Sequence, residues 1–234
     1  MTNLEEVLSA LRSRPGLAIG ELRLILDLAD KQRLLKPVHL LVGDDIKSYV
    51  VTGTPSSPFI TDPAIQSLVR SLQRPSDQDI AELLSVVEAT EKQKEHFSAG
   101  MRAIRKKILP EARKLRGRHP SFKDYWKRLA ATFAEGFAAH VGVLGACKKR
   151  GINGLLELRS LRLAVGMNLS LAYAQTFEGR TPKTGDSRDI HHSVLASAAD
   201  KFVVHDKEFR RLLSRVPIED FEVTGLNDLI REIC

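Results

Sequence analysis

The stretch GDSRDIHHSVLASAADKFVVHDKEFRRLL, from Gly185 to Leu213, combines acidic residues, a helical period and a short apolar run. Asp186, Asp189 and His192 follow one another at intervals of three residues, so they share one face of a helix predicted from Arg188 to about Ala199. The small alanine side chains of that helix allow close packing against a sheet. This arrangement predicts an acidic helix face beside a buried strand.

The predicted strand is Lys201-Phe-Val-Val, which has an acid on either side of it. Asp200 precedes the strand, and Asp206 follows its carboxyl end. Open α/β sheets usually place their functional sites beyond the carboxyl ends of the strands. The position of Asp206 therefore predicts a site at that edge.

These acids allow two interpretations. In the first, Asp186 is the N-cap of the helix from Arg188 to about Ala199, with Asp189 in its first turn, and Asp206 caps a second helix, Lys207 to Arg215. In the second, the carboxylates bind a hard divalent cation, magnesium or manganese, which activates water to attack a phosphodiester. Both interpretations stay open on the local pattern.

The order GDxxDxxH, alanine-rich helix, DKFVVxDKxF and apolar ending resembles the C-terminal half of a PIN-like nuclease domain over about residues 185–230. The resemblance implies a three-layer, Rossmann-like α/β fold with a parallel sheet and metal-dependent cleavage of RNA. It implies that Asp186, Asp189 and Asp206 are catalytic and bind magnesium or manganese. His192 and Asp200 would support them.

The amino-terminal region departs from the family pattern. A helix is predicted over Asn3 to Ser13, a short buried strand over Leu17 to Gly20, and a second helix from Glu21. The family's first apolar strand, ending in the lead Asp, is not visible. Glu21 stands about where the family places its second acid and is a fourth candidate catalytic residue, although a first-turn acid that complements the helix dipole is the alternative.

Between these two regions, proline and glycine punctuate residues 34–75, and a helical composition runs from Ser76 to about Glu178. The pair Asp44-Asp45 is predicted to be a helix start or turn rather than a metal site. We expect one helix-rich PIN-like domain over residues 1–234, with residues 76–178 as a helical insertion or cap.

A basic run covers residues 102–118 and contains one acid, Glu111. Such a run is either a track for nucleic-acid phosphates or a solvated helix face. With the nuclease resemblance, the track is favoured, and the candidate RNA-binding residues are Arg105, Lys106, Lys107, Lys114 and Arg116. Trp126 lies just beyond, on a stripe with Phe122 and Leu129 that is typical of core anchoring.

The overall composition fits this expectation. The chain has 36 Lys and Arg against 29 Asp and Glu, a formal charge of +7, which favours a polyanionic partner such as RNA. Its two cysteines suit a reducing compartment, and no apolar run is long enough to span a bilayer, so we expect a cytoplasmic protein with no membrane partner. A homo-oligomer or a protein partner stays open.

The sequence thus predicts a metal-dependent ribonuclease of PIN-like type. The first alternative is an inactive or truncated relative that binds RNA without cleaving it. The second is a helical interaction module whose basic face binds an acidic protein.

Overall fold

The computed structural model describes residues 10, 13–28, 35–63, 120–183, 185–219 and 221–233, together with scattered positions between 66 and 110. The elements of these residues are numbered in chain order. They are α1 (Pro15–Leu28), α2 (Val38–Thr52), α3 (Phe122–His140), α4 (Leu144–Arg150), α5 (Arg159–Phe177), α6 (Asp186–Leu195), β1 (Lys201–Val203), α7 (Lys207–Leu213), β2 (Glu222–Thr224) and α8 (Leu226–Ile233). Short 3-10 helices follow α4 and α6.

The chain separates into two compact units. The first comprises Met1–Leu40 and Ser57–Phe97, and the second comprises Leu41–Ser56 and Ser98–Cys234. The prediction of one domain with an insertion or cap over residues 76–178 stays a prediction. Within the second unit, α3 and α5 supply much of the buried apolar core.

In the first unit, the strand predicted over Leu17 to Gly20 is wrong, because these residues lie inside α1. The helix begins at Pro15, whose fixed φ and missing N–H suit the first helical position. The apolar run from Leu17 to Gly20 is therefore helical. Within it, Ala18 is buried, whereas Leu17 is 55% exposed. Leu35 and Phe59 form an isolated antiparallel bridge in this unit.

In the second unit, α5 is the central helix. It packs against α3, α6 and α7, and most of its side chains are buried because apolar and small residues occupy nearly every position. One end of the α3–α5 contact is an aromatic cluster of Phe122, Tyr125, Tyr173 and Phe177, whose ring centroids lie 5.0–6.5 Å apart. Leu129 is buried and Trp126 is half-buried on the same helix.

A second apolar cluster covers the strands. The ring of Phe202 in β1 lies 6.0 Å from that of Phe209 in α7 and 6.4 Å from that of Phe221, which precedes β2. The strands β1 and β2 are parallel, with Phe202 opposite Val223, and α7 lies in the connection between them. This short strand–helix–strand unit confirms the strand predicted at Lys201-Phe-Val-Val.

The described residues do not form the three-layer PIN-like sheet that the sequence predicted. Their one sheet has two strands of three residues each, and the rest of the regular structure is helical. Apolar residues that a larger parallel sheet would need are instead buried between helices, chiefly in α3 and α5. The PIN-like α/β fold class is therefore wrong for the described part of the chain.

Asp44-Asp45 also differs from its prediction, because both residues lie inside α2 rather than at a helix start or turn. Asp45 is 4% exposed, and its carboxylate accepts hydrogen bonds from Ser56 (N and Oγ, both 2.8 Å) and from the Ser160 hydroxyl. A buried carboxylate is tolerated where several donors satisfy it. Asp45 thus joins α2, the loop after it and α5.

None of the helices in the described part of the chain combines the length and the apolar character needed to cross a bilayer.

Candidate functional site

The candidate site lies in the second unit, where α6, β1 and α7 follow one another. Asp186 and Asp189 occupy the first turn of α6, and Asp206 follows β1 directly before α7. Asp186 and Asp206 lie within electrostatic range of Asp189, since the negative charges of both raise the pKa of its carboxyl. We call Asp186, Asp189 and Asp206 the carboxylate cluster.

Arg180 forms a two-pronged ion pair with Asp186. The Arg180 guanidinium donates from Nη2 to Oδ1 at 2.6 Å and from Nη1 to Oδ2 at 2.9 Å, and the Lys183 backbone N–H donates to Oδ2 at 3.1 Å. The two side chains are 7% and 10% exposed. Asp186 is not the N-cap that one interpretation predicted: Gly185 holds that position without a side-chain bond, and Asp186 begins the helix.

Arg180 also contacts an acid that the sequence reasoning missed. Its Nε donates to Glu208 Oε1 at 2.6 Å, and Lys183 Nζ donates to the other oxygen of Glu208. Hydrogen bonding to Asp186 is the main cause that raises the pKa of Arg180. The bonds from Lys183 and Arg180 lower the pKa of Glu208. We call Arg180, Lys183, Asp186 and Glu208 the ion-pair network.

Asp189 is in a different electrostatic position. Burial raises the pKa of its carboxyl, and the negative charges of Asp206 and Asp186 raise it further, whereas His192 and Arg180 act in the opposite direction. Among the described residues, none donates a hydrogen bond to this carboxylate. Asp189 is thus a half-buried acid.

Asp206 caps α7, as the first interpretation predicted. Its Oδ1 accepts the Phe209 backbone N–H at 2.8 Å, the usual bond of an N-cap acid to the third helical residue. The cap fixes the orientation of the carboxylate and occupies one of its two oxygens. The side chain is exposed, so the second oxygen is accessible from solvent.

The two supporting residues lie in different places. His192 is on α6 one turn after Asp189, close enough for its charge to lower the pKa of Asp189. Asp200 stands at the opposite end of β1 from Asp206. Its side chain is 99% exposed and lies 3.7 Å from Arg159, so the structure does not bring it into the carboxylate cluster.

Glu21 belongs to the first unit, where it is an exposed residue in the middle of α1 rather than an acid after a strand. Of the candidate RNA-binding residues, Lys106 is helical and exposed. The other four, Arg105, Lys107, Lys114 and Arg116, lie outside the described residues.

No group of three or more His, Cys, Asp or Glu side chains in the described ranges is arranged to hold a metal ion. Within the carboxylate cluster, N–H donors occupy both oxygens of Asp186. Asp189 and the second oxygen of Asp206 are hard oxygen donors of the kind that magnesium and manganese prefer.

The chain matches no protein-family model, and searches of curated proteins and of solved structures gave no match either.

Proposed function

We propose that the protein is a metal-dependent ribonuclease whose reaction takes place at Asp189 and Asp206. The observation that carries this proposal is the environment of Asp189, a half-buried carboxylate next to the charges of Asp206 and Asp186. Neighbouring carboxylates are unfavourable in the absence of a cation, and such perturbed acids are typical of functional sites.

In this proposal Asp189, Asp206 and His192 have different roles. Asp189 offers two oxygens to a cation, and Asp206 offers one from a side chain already oriented by its bond to Phe209. Bound magnesium or manganese would supply Lewis-acid chemistry for phosphodiester hydrolysis. His192 lies beside Asp189 and carries the proton-transfer capacity of an imidazole.

RNA is the proposed substrate because of charge and resemblance together. The net charge of +7 favours a polyanion, and the run containing Arg105, Lys106, Lys107, Lys114 and Arg116 provides cations for its phosphates. The sequence order around Gly185 to Leu213 resembles nucleases that cleave RNA. We place the activity in the cytoplasm, in keeping with the low cysteine content.

The test is cleavage of single-stranded RNA in manganese, with EDTA as the blank. We expect the wild type to cleave and both Asp189→Asn and Asp206→Asn to lose cleavage. Asp228→Asn is the matched control, because Asp228 is an exposed acid of the same unit that pairs with Arg210. Equal cleavage by Asp206→Asn and the wild type would contradict the proposal.

The second candidate function is RNA binding without cleavage. It is favoured by the pairing of Asp186 with Arg180, which removes one of the three predicted metal ligands. In that case the wild type would shift RNA in a gel, release it as salt is raised, and leave it intact in manganese.

A further inference from the structure

The first half of α3 carries three positive charges on its solvent side. Lys123, Lys127 and Arg128 are exposed, whereas Tyr125 and Leu129 on the same helix are buried. At 1.5 Å per residue, the three cations span about 7.5 Å of the helix axis. Because the opposite side of α3 is packed into the core, the backbone that carries them is held in place. We call Lys123, Lys127 and Arg128 the α3 basic face.

The two acids of α3 do not neutralise the α3 basic face. Asp124 lies three and four residues before two of its cations, a spacing that ordinarily allows ion pairs. Its carboxylate instead accepts the Ser121 hydroxyl at 2.6 Å, within the N-cap of the helix. Glu135 pairs with Lys148 of α4 at 3.5 Å. Among the residues that the structure describes, none forms an ion pair with the α3 basic face.

Helix stability does not explain these charges either. Lys123 is the second residue of α3, where a positive charge is unfavourable because it lies near the positive end of the helix dipole. The cations of α4 differ, because Lys148, Lys149 and Arg150 lie in its last turn, where the dipole favours them. Arg150 also donates to the carbonyl of Val50 at 3.0 Å. The α3 basic face has neither of these roles, so its charges are available to an external anion.

The surroundings of the α3 basic face favour a nucleic acid over a protein. Protein interfaces usually have an apolar core. In the described part of the chain, the exposed large apolar side chains lie on α1, α2, β1 and α8, and none lies on α3 or α4. Trp126, one turn after Lys123, is half-buried. An aromatic ring beside cations is the combination with which proteins bind single-stranded nucleic acids.

We propose that the α3 basic face binds the phosphates of single-stranded RNA, with Trp126 at its edge next to a base. This inference rests on the proposed function, because RNA is the substrate proposed there. The α3 basic face is separate in sequence from the basic run at residues 102–118. Each phosphate that a Lys or Arg neutralises releases counterions, so binding weakens as salt is raised.

Trp126 provides the measurement, since it is the only tryptophan of the chain. Unlabelled single-stranded RNA is titrated into the full chain in EDTA, where metal-dependent cleavage does not occur, and the tryptophan fluorescence is followed. We expect RNA to quench this fluorescence and raised salt to restore it. RNA that shifts with the protein in a gel but leaves the fluorescence unchanged would place the contact elsewhere and overturn the proposal.

Two double variants, each removing two positive charges from helices of the second unit, test the cations themselves. Lys127→Gln with Arg128→Gln should weaken RNA binding roughly tenfold and reduce the slope of log affinity against log salt by about 1.4, the value for two phosphate contacts with a single strand. Arg210→Gln with Arg231→Gln, on α7 and α8, is the matched control and should bind as the wild type does. Lys127→Arg with Arg128→Lys keeps both charges and should also retain wild-type affinity.

Three outcomes would overturn the RNA assignment of the α3 basic face. Equal weakening in the two Gln double variants would show that net charge alone governs binding. Poly-glutamate that quenches Trp126 as strongly as RNA does would identify a surface for an acidic protein. Absence of RNA binding by the wild type in EDTA would exclude the contact altogether. Cleavage in manganese, with Asp189→Asn and Asp206→Asn, is scored in a separate assay, so the ribonuclease proposal is tested independently of the α3 basic face.

Discussion

Arg180 and Asp186 form a two-pronged ion pair with N–O distances of 2.6 and 2.9 Å, and both side chains are almost completely buried. The pair joins the loop after α5 to the first turn of α6. It also occupies both oxygens of Asp186 within the carboxylate cluster.

The first prediction concerns the stability of this pair. Asp186→Asn removes the charge that Arg180 binds with two hydrogen bonds and leaves Glu208 as its remaining acid in the ion-pair network. We expect the free energy of unfolding to fall by roughly 3 kcal/mol, the lower end for a broken buried ion pair. Urea denaturation measures this loss. The exposed pair Arg210–Asp228, at 3.3 Å, is the matched control, since Arg210→Gln should change stability by about 0–1 kcal/mol. Equal losses in the two variants would show that burial of the Arg180 pair does not matter.

The second prediction separates the two roles of Asp206. Asp206→Ala removes the N-cap of α7 and should destabilise the protein by about 1 kcal/mol, whereas Asp206→Asn keeps an oxygen that can accept the Phe209 N–H. Both variants should lose manganese-dependent cleavage. Thermal unfolding and the RNA assay, carried out on the same samples, measure the two properties. If Asp206→Asn lost as much stability as Asp206→Ala, the cap would not be the reason for the loss.

The third prediction concerns pH. The folded state raises the pKa of Asp189, so it retains that proton where the unfolded chain has released it, and stability falls as pH rises through the folded pKa. We therefore expect Asp189→Asn, which cannot ionise, to melt higher than the wild type at neutral pH in EDTA. The difference should disappear at a pH below the ordinary carboxyl pKa. A lower melting temperature of the variant at neutral pH would contradict this electrostatic description.

The stability that Glu178 and Glu208 contribute depends on pH in the opposite direction. Bonds from Lys183 and Arg180 lower the pKa of Glu208. Burial alone would raise the pKa of Glu178, but hydrogen bonds from Arg211 and Arg215 outweigh it and lower this pKa. Their stabilising contribution is lost as pH falls through the folded pKa values. Each Asp189→Asn melting point must therefore be compared with the wild type at the same pH.

The fourth prediction concerns the close approach of α5 and Val216. A Cβ on Gly166 would meet both methyl groups of the buried Val216, so Gly166→Ala should destabilise the second unit by about 1–3 kcal/mol. Adding Val216→Ala should recover part of that loss, which a double-mutant cycle of urea denaturation measures.

The control for this pair is a glycine with open space around it. Gly20 in α1 has no neighbour within 4 Å of an added Cβ, and Gly20→Ala should stabilise by about 0.5–1 kcal/mol through helix propensity alone. Additive losses in Gly166→Ala and Val216→Ala would exclude a steric conflict between them.

The sequence by itself determined the local elements around the site. The short apolar run Lys201-Phe-Val-Val predicted β1, and Asp206 before a helical run predicted the cap of α7, both of which the structure confirms. These features can be predicted because short apolar runs and helix caps depend on residues only a few positions apart.

Tertiary structure decided the extent of the sheet and the partners of the acids. Leu17 to Gly20 has the composition of a short strand or of a helix, and its place in α1 follows from the helix that begins at Pro15. Asp45 pairs with Ser160, 115 residues away, and Glu208 pairs with Arg180, 28 residues away. Such contacts depend on how distant segments pack, because an acid next to a helix start has the same local sequence whether it binds a cation, caps a helix or pairs with a buried arginine.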